Sequence, residues 1–126
     1  MISIDYKSRL PIYEQLVENI RKLVLNEIVG TDSQLPSVRQ LSADLGINPN
    51  TVQKAYTTLE QQGVLYSIPG KGSFVCSDLT RLRRDQLEAC LKALSSIVGQ
   101  LAQLGMGRDE VIRQIELLYE RMDRHD

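Results

Sequence analysis

The sequence predicts a mostly α-helical fold with a small β-wing, and three observations carry that prediction. Residues 37–62 hold two amphipathic helical patterns separated by a short turn. Two runs of β-forming residues surround a Pro/Gly turn within 64–76 and indicate a hairpin. After residue 78, leucines recur at a heptad spacing that predicts a long helix. This order is that of a winged helix-turn-helix followed by a two-helix C-terminal dimerisation segment.

Helix 1 is predicted over 11–28. Pro11 suits the first helical position, because the N–H that proline lacks has no intrahelical partner there. Residues 31–34 are predicted to form a loop, and Leu35-Pro36 sets the entry to the next helix, since the residue before proline resists helical dihedrals. We expect an apolar stripe of helix 1 to cover the back of the helix-turn-helix. The stripe consists of Ile12, Leu16, Ile20, Leu23, Val24 and Ile28.

Helix 2 is predicted over 37–45. Ser37 and Gln40 fit a capping box, with Ser37 at the N-cap and Gln40 at the third helical position. Gly46 stands where this helix must end, and glycine readily takes the left-handed conformation that ends a helix. A tight turn should therefore follow directly.

Helix 3 is predicted over 49–62, with Asn48 as its N-cap and Pro49 in the first helical position. Its two faces differ sharply in chemistry. The apolar face comprises Val52, Ala55, Tyr56 and Leu59. The polar face comprises Asn50, Gln53, Lys54 and Thr57. A small hydrogen-bonding face at a helix N-terminus suits base edges in a DNA major groove, although an ordinary solvated face would look the same.

The hairpin is predicted from Val64–Ile68 and Ser73–Cys76, with Gly70, Lys71 and Gly72 at its tip. Glycines let a backbone approach a phosphate or enter the minor groove, and a lysine neutralises charge there. A plain hairpin turn would also require glycine. The preceding helix-turn-helix favours DNA contact.

Taken together, these motifs resemble the GntR family of bacterial transcription regulators. The resemblance covers roughly residues 10 to 76, and the form of Asn48–Tyr56 and the short tail are similar to its YtrA-type subfamily. The matching stretches are Leu35–Leu41, Asn48–Tyr56, Leu59–Gly63 and Gly70–Val75.

The resemblance implies double-stranded DNA as the partner. The implied contacts come from the start of helix 2, the first turns of helix 3 and the wing tip. They are Ser37, Arg39, Asn48, Asn50, Thr51, Gln53, Lys54, Gly70, Lys71 and Gly72. Many relatives carry arginine in place of Pro49 and Gln53, so two guanine or phosphate contacts of the family are absent here, and which residues read bases stays open. The Thr51 hydroxyl has an alternative role as a helix cap.

Charge and composition limit the choice of function. The net charge is −1, and residues 1–77 contain seven Lys or Arg and seven Asp or Glu, so any basic surface must be local. Cys76 and Cys90 lack metal-ligand spacing, and we expect free thiols, no metal and no cofactor. No apolar run could span a membrane, and no signal peptide begins the chain, so we expect a cytoplasmic protein.

The tail is predicted to form helices over about 79–104 and 108–123. Their apolar faces are too wide to cover each other, so a symmetric dimer is the economical arrangement. Packing back onto the winged helix of the same chain is the alternative. The predicted domains are therefore 1–77, for DNA binding, and 78–126, for dimerisation. The predicted interface residues are Leu87, Leu91, Leu94, Val98, Leu101, Ile115, Leu118 and Tyr119.

The sequence thus predicts a dimeric repressor that binds an inverted-repeat operator. The YtrA-type resemblance implies control of a nearby operon, such as one for a transporter. An enzyme is not expected, because no cluster of residues supplies a nucleophile, base and oxyanion donor. A winged helix that serves only as a protein-interaction adaptor remains an alternative, and a small-molecule effector remains open.

Overall fold

The computed structural model describes residues 2–124. It divides into two compact units, the first extending through Arg84 and the second beginning at Asp85. The prediction of a mostly α fold with a small β-wing is confirmed. In chain order the elements are α1 Ile12–Leu25, α2 Val38–Leu45, α3 Pro49–Gln61, β1 Leu65–Ile68, β2 Gly72–Val75, α4 Thr80–Gln103 and α5 Arg108–Asp123.

Helix α1 is shorter at both ends than predicted. Pro11 is its N-cap rather than its first helical residue, and the helix ends at Leu25, with Asn26 as its C-cap. Glu27 then adopts a left-handed conformation with φ of 59°, which turns the chain away from the helix. Ile28, expected in the apolar stripe, consequently lies outside the helix and is 58% exposed.

The caps of the helix-turn-helix are largely as predicted. Ser37 Oγ accepts a hydrogen bond from the Gln40 N–H at 3.0 Å, and Gly46 is left-handed with φ of 66°. Only half of the capping box forms, because the Gln40 amide donates to Asp44 instead of reaching back to Ser37. Asn48 caps α3 through a 2.8 Å hydrogen bond from the Asn50 N–H.

The core of the first unit lies between α1, α2, α3 and the wing. All four residues of the predicted apolar face of α3 are buried in it. The buried apolar residues are Leu16, Val17, Ile20, Val24, Leu41, Val52, Ala55, Tyr56, Leu59, Val64, Leu65, Val75, Leu79 and Leu82.

Tyr56 ties α3 to the entry of α2. Its ring is buried, and its hydroxyl donates to the Pro36 carbonyl over 2.6 Å. Burial raises the pKa of Tyr56 to about 12. This contact therefore fixes the start of α2 against the helix that follows it.

Replacing Tyr56 by phenylalanine should destabilise the protein by about 1 kcal/mol, because the Pro36 carbonyl loses its buried donor. The difference in unfolding free energy between the wild type and Tyr56→Phe should vanish in alkali. Because the phenol pKa is raised in the folded state, it contributes to the free energy of unfolding of the wild type below pH 10. This contribution is lost as pH rises toward 12, at about 1.4 kcal/mol per pH unit. Urea unfolding at pH 8 and pH 11 measures this. The exposed Tyr6→Phe is the matched control, and parallel pH profiles for wild type and Tyr56→Phe would contradict it.

The wing is an antiparallel pair with Leu65 opposite Val75 and Ile68 opposite Gly72. Residues 31–34 are predicted to form a loop, but the segment 32–35 instead pairs with the free edge of β2. The Leu35 N–H donates to the Ser73 carbonyl at 2.9 Å, and the Val75 N–H donates to the Ser33 carbonyl at 3.0 Å. A third extended segment thus supports the wing.

The first unit continues into the start of α4. Leu79 and Leu82 are buried in its core, so the unit extends through Arg84, seven residues beyond the boundary predicted after Ser77. Ser77 lies before α4, whereas the division between units lies inside that helix.

In the second unit, the remainder of α4 and α5 are joined by a turn at Gly105, whose φ is 92°. The Met106 N–H donates back to the Leu101 carbonyl at 3.0 Å and closes the end of α4. None of residues 85–124 is buried. This unit therefore lacks an enclosed core within one chain.

Candidate nucleic-acid interface

Helix α3 presents an exposed polar face from its first turn. Asn48, Asn50, Gln53 and Thr57 are all exposed. The Gln53 amide donates to the Thr57 hydroxyl at 3.2 Å, which extends the Gln53 side chain along the helix. Because its other face is buried, the helix can offer this polar face to a groove without disturbing the core.

Two of the predicted DNA-contacting residues, at the start of α3, use part of their hydrogen-bonding capacity within the helix. The Asn48 side-chain oxygen serves as the N-cap, which leaves its NH₂ group available. Thr51 is half-buried, and its N–H donates to the Asn48 carbonyl at 3.0 Å. Asn50 and Gln53 are thus the more accessible base-reading candidates.

Lys54 is positioned by α1. Its ammonium lies 3.9 Å from the centroid of the Tyr13 ring, a cation–π contact. The Tyr13 hydroxyl donates to Glu14 at 3.1 Å, and this hydrogen bond raises the Tyr13 pKa. Lys54 therefore lies at the junction of α1 and α3, beside the polar face rather than at its centre.

The start of α2 presents Ser37 and Arg39, both exposed. The Ser37 hydroxyl is engaged as the N-cap. Among residues 2–124, no side-chain hydrogen bond or ion pair of Arg39 is found. Its guanidinium is free to bind an anion next to the positive end of the helix dipole.

The wing tip holds Gly70, Lys71 and Gly72. Gly70 has φ of 78° and Gly72 has φ of 123°, so both occupy conformations that favour glycine. The Lys71 side chain is exposed and pairs with no acid in the part of the chain that the structure describes. Its backbone is held by Gln34, whose amide donates to the Lys71 carbonyl at 2.7 Å.

Several acidic side chains of the first unit accept a hydrogen bond from, or form an ion pair with, another side chain of that unit. Glu27 pairs with Arg83 at 3.1 Å, and Asp44 accepts from Gln40. Glu60 accepts from the Ser67 hydroxyl, and Asp32 accepts from Tyr66 at 2.9 Å. The hydrogen bond to Asp32 raises the Tyr66 pKa.

Three residues that position this surface are not identified from the sequence. Tyr13 follows the helix start without a distinguishing pattern, and Gln34 precedes Leu-Pro in a predicted loop. Tyr56 was predicted only as a core residue, and its hydrogen bond to Pro36 was not anticipated. Each acts on a residue at least twenty positions away in sequence, which local patterns do not reveal.

The predicted dimer residues lie in the second unit. Leu101 and Ile115 are half-buried, whereas the others remain exposed in the single chain. The exposed set comprises Leu87, Leu91, Leu94, Val98, Leu118 and Tyr119. An apolar groove of about 350 Å³ lies between the end of α4 and the start of α5, lined by Val98, Met106 and Ile115 among others.

Within residues 2–124, no cluster of His, Cys, Asp and Glu could hold a metal ion. Cys76 is half-buried and Cys90 exposed, and both are free thiols. Burial raises the Cys76 pKa, which disfavours the reactive thiolate. No described helix has the length and apolar character to cross a membrane.

A family model and a known repressor match the winged-helix part of the chain. The family model of bacterial regulatory proteins, gntR family, matches residues 12–75. The HTH-type transcriptional repressor YtrA of Bacillus subtilis (strain 168) is 43% identical over 75 residues, which are 60% of this chain and 58% of that protein. The matched part of the chain thus spans less than two thirds of that relative.

Solved structures show similarity beyond the winged helix. A transcriptional regulator from Oenococcus oeni matches with a TM-score of 0.81 and 31% identity, over 94% of this chain and 99% of that one. The AraR DNA-binding domain in complex with operator ORR3 matches with a TM-score of 0.52 and 31% identity. That match covers 59% of this chain and 89% of the other.

Proposed function

Since the chain belongs to the gntR family of bacterial regulatory proteins, we propose that it is a dimeric, sequence-specific DNA-binding repressor. Its relatives are transcriptional regulators, and the protein is a regulator rather than an enzyme. The proposed partner is double-stranded operator DNA with an inverted repeat. The proposed target is an operon near its own gene, such as a transporter operon, and the proposed location is the cytoplasm.

The observation that carries this proposal is the exposed polar face of α3, held rigidly by its caps and core. Its side chains can donate to and accept from base edges, with Asn50 and Gln53 suited to adenine. The relative with an operator in its crystal structure shares this part of the fold. We therefore assign α3 to the major groove.

Arg39 and Lys71 are proposed to contact phosphates on either side of α3. Both are exposed cations on elements directly connected to α3, one at the start of α2 and one at the wing tip. Phosphate contacts fix the register of a protein on DNA, whereas base contacts carry the sequence preference. With a net charge of −1, the protein depends on such placed contacts rather than on a general basic surface.

Dimerisation is supported by the second unit, in which no residue from 85 to 124 is buried. Leu87, Leu91 and Leu94 are 61%, 56% and 46% exposed on consecutive turns of α4. A contiguous apolar surface of this kind is unusual for a soluble monomer, and a second copy offers a matching surface. The apolar groove between α4 and α5 would then contribute to the bundle core.

Selection of bound duplexes from a random pool tests the proposal. The full chain should enrich one sequence with two-fold symmetry, because a symmetric dimer presents two copies of α3. Matching that sequence to the genome then identifies the operon. A recovered pool with no common sequence would contradict specific binding and favour the adaptor function.

A further inference from the structure

Residues 32–35 form a strap along the free edge of the wing. The Asp32 N–H donates to the Val75 carbonyl at 2.7 Å, and the Leu35 N–H donates to the Ser73 carbonyl at 2.9 Å. Gln34 lies opposite Phe74 in this ladder. The strap is further anchored by Asp32, which accepts from Tyr66 at the centre of the wing.

The Gln34 side chain extends past this ladder to the wing tip. Its Nε2 donates to the Lys71 carbonyl over 2.7 Å, while the Lys71 N–H donates to the Ile68 carbonyl at 2.9 Å. Both backbone polar groups of Lys71 are therefore held. A Cβ atom on Gly72 would lie only 2.9 Å from Gln34 Nε2, so glycine at position 72 leaves the space that this amide occupies.

The same strap leads directly into the reading helices. Gln34 is followed by Leu35 and Pro36, and the Pro36 carbonyl accepts from the Tyr56 hydroxyl of α3. Ser37, the next residue, caps α2. One short run of chain thus connects the wing tip, the start of α2 and the middle of α3.

We propose that Gln34 is a positioning residue for DNA binding, which sets the wing tip so that Lys71 meets the DNA backbone at a fixed distance from α3. This inference rests on the proposed function. Lys71 makes the contact, and Gln34 acts through it. Losing the Gln34 donor frees the carbonyl of Lys71 and lets the glycine-flanked tip sample other conformations, which lowers the fraction of chains ready to bind.

The test uses the full chain and the duplex recovered by selection. Gln34→Ala and Gln34→Met, which keeps the side-chain length without the donor, should each raise the operator Kd about threefold to tenfold. Both should lower the salt slope, which is the change in log Kd per unit of log salt concentration, toward that of Lys71→Ala. The double variant Gln34→Ala/Lys71→Ala should bind no more weakly than Lys71→Ala alone. Gln62→Ala, an exposed glutamine at the end of α3, should bind as wild type does.

Losses that multiply in the double variant would overturn the proposal, as would wild-type binding by Gln34→Met. A second measurement does not depend on DNA. In the free protein, ¹⁵N relaxation should show lower order parameters at residues 70–72 in Gln34→Ala, with Leu65 and Val75 unchanged. Unchanged order at the wing tip would overturn the inference. A wild-type protein that binds no duplex would overturn the proposed function, and the relaxation data would still decide whether Gln34 orders the wing tip.

Discussion

Replacing Leu94 and Leu101 by aspartate is expected to convert the proposed dimer to a monomer and to weaken operator binding by about 10²- to 10⁴-fold. Leu94 is 46% exposed and Leu101 is half-buried on α4, so both are available to a partner chain. Aspartates buried in an apolar interface lose hydration without gaining a partner. Each monomer would then bind its half-site without a tethered second copy.

Sedimentation equilibrium and operator titration measure the two effects. Ser96→Asp is the control for an added aspartate, because it places one negative charge on the far side of α4, about 200° around the helix from Leu94. A chain ending at Arg84 should behave like the double aspartate variant. That end point keeps Leu79 and Leu82 in the first unit, whereas an end at Ser77 would remove two core residues. A full-length monomer at tens of micromolar would contradict the proposed dimer.

Single alanine substitutions at Arg39, Gln53 and Lys71 are expected to weaken operator binding without changing folding or dimerisation. Gln53→Ala should cost about 1–3 kcal/mol and relax the preference at one base pair. Arg39→Ala and Lys71→Ala should weaken binding to all sequences alike and lower the salt slope by about one each. All three side chains are exposed, so the fold does not depend on them.

Fluorescence anisotropy with the selected duplex over a salt series separates these outcomes. Lys22→Ala removes an exposed lysine from the last turn of α1 and serves as the control for loss of charge. Unchanged affinity in all three variants would mean that another surface binds DNA. A loss of sequence preference in Lys71→Ala would mean that the wing reads bases.

Local features of this fold could be predicted from the sequence, because they depend on residues close together in the chain. Ser37, Gly46 and Asn48 are the caps that their chemistry indicates. The hairpin follows from β-forming runs around a glycine-rich turn. The amphipathic pattern of α3 also identified which face is buried.

Features that depend on distant residues could not be predicted in this way. The strap at 32–35 pairs with β2 through backbone groups, which leave no pattern in the side chains. The contact between Lys54 and Tyr13 joins α3 to α1, and the periodicity of neither helix indicates it. Leu79 and Leu82 lie within the predicted span of the long helix but outside the heptad seam that begins at Leu87, and tertiary packing assigns them to the core of the first unit.

The same distinction applies to the candidate interface. The sequence identified the polar residues of α3, whose exposure follows from helical periodicity. It did not show that Lys54 is drawn toward α1 or that Gln34 holds the wing tip. Those contacts decide which side chains are free to bind DNA, and they arise only when the chain is folded.

Affinity cleavage from α3 tests the central claim most directly. An iron chelate attached at Thr57→Cys, in a chain with Cys76→Ser and Cys90→Ser, should cut the selected duplex in two clusters. The clusters should be related by two-fold symmetry, with their centres about one helical turn apart, because two copies of α3 enter successive major grooves. A single cluster, or no cleavage from α3, would contradict the account.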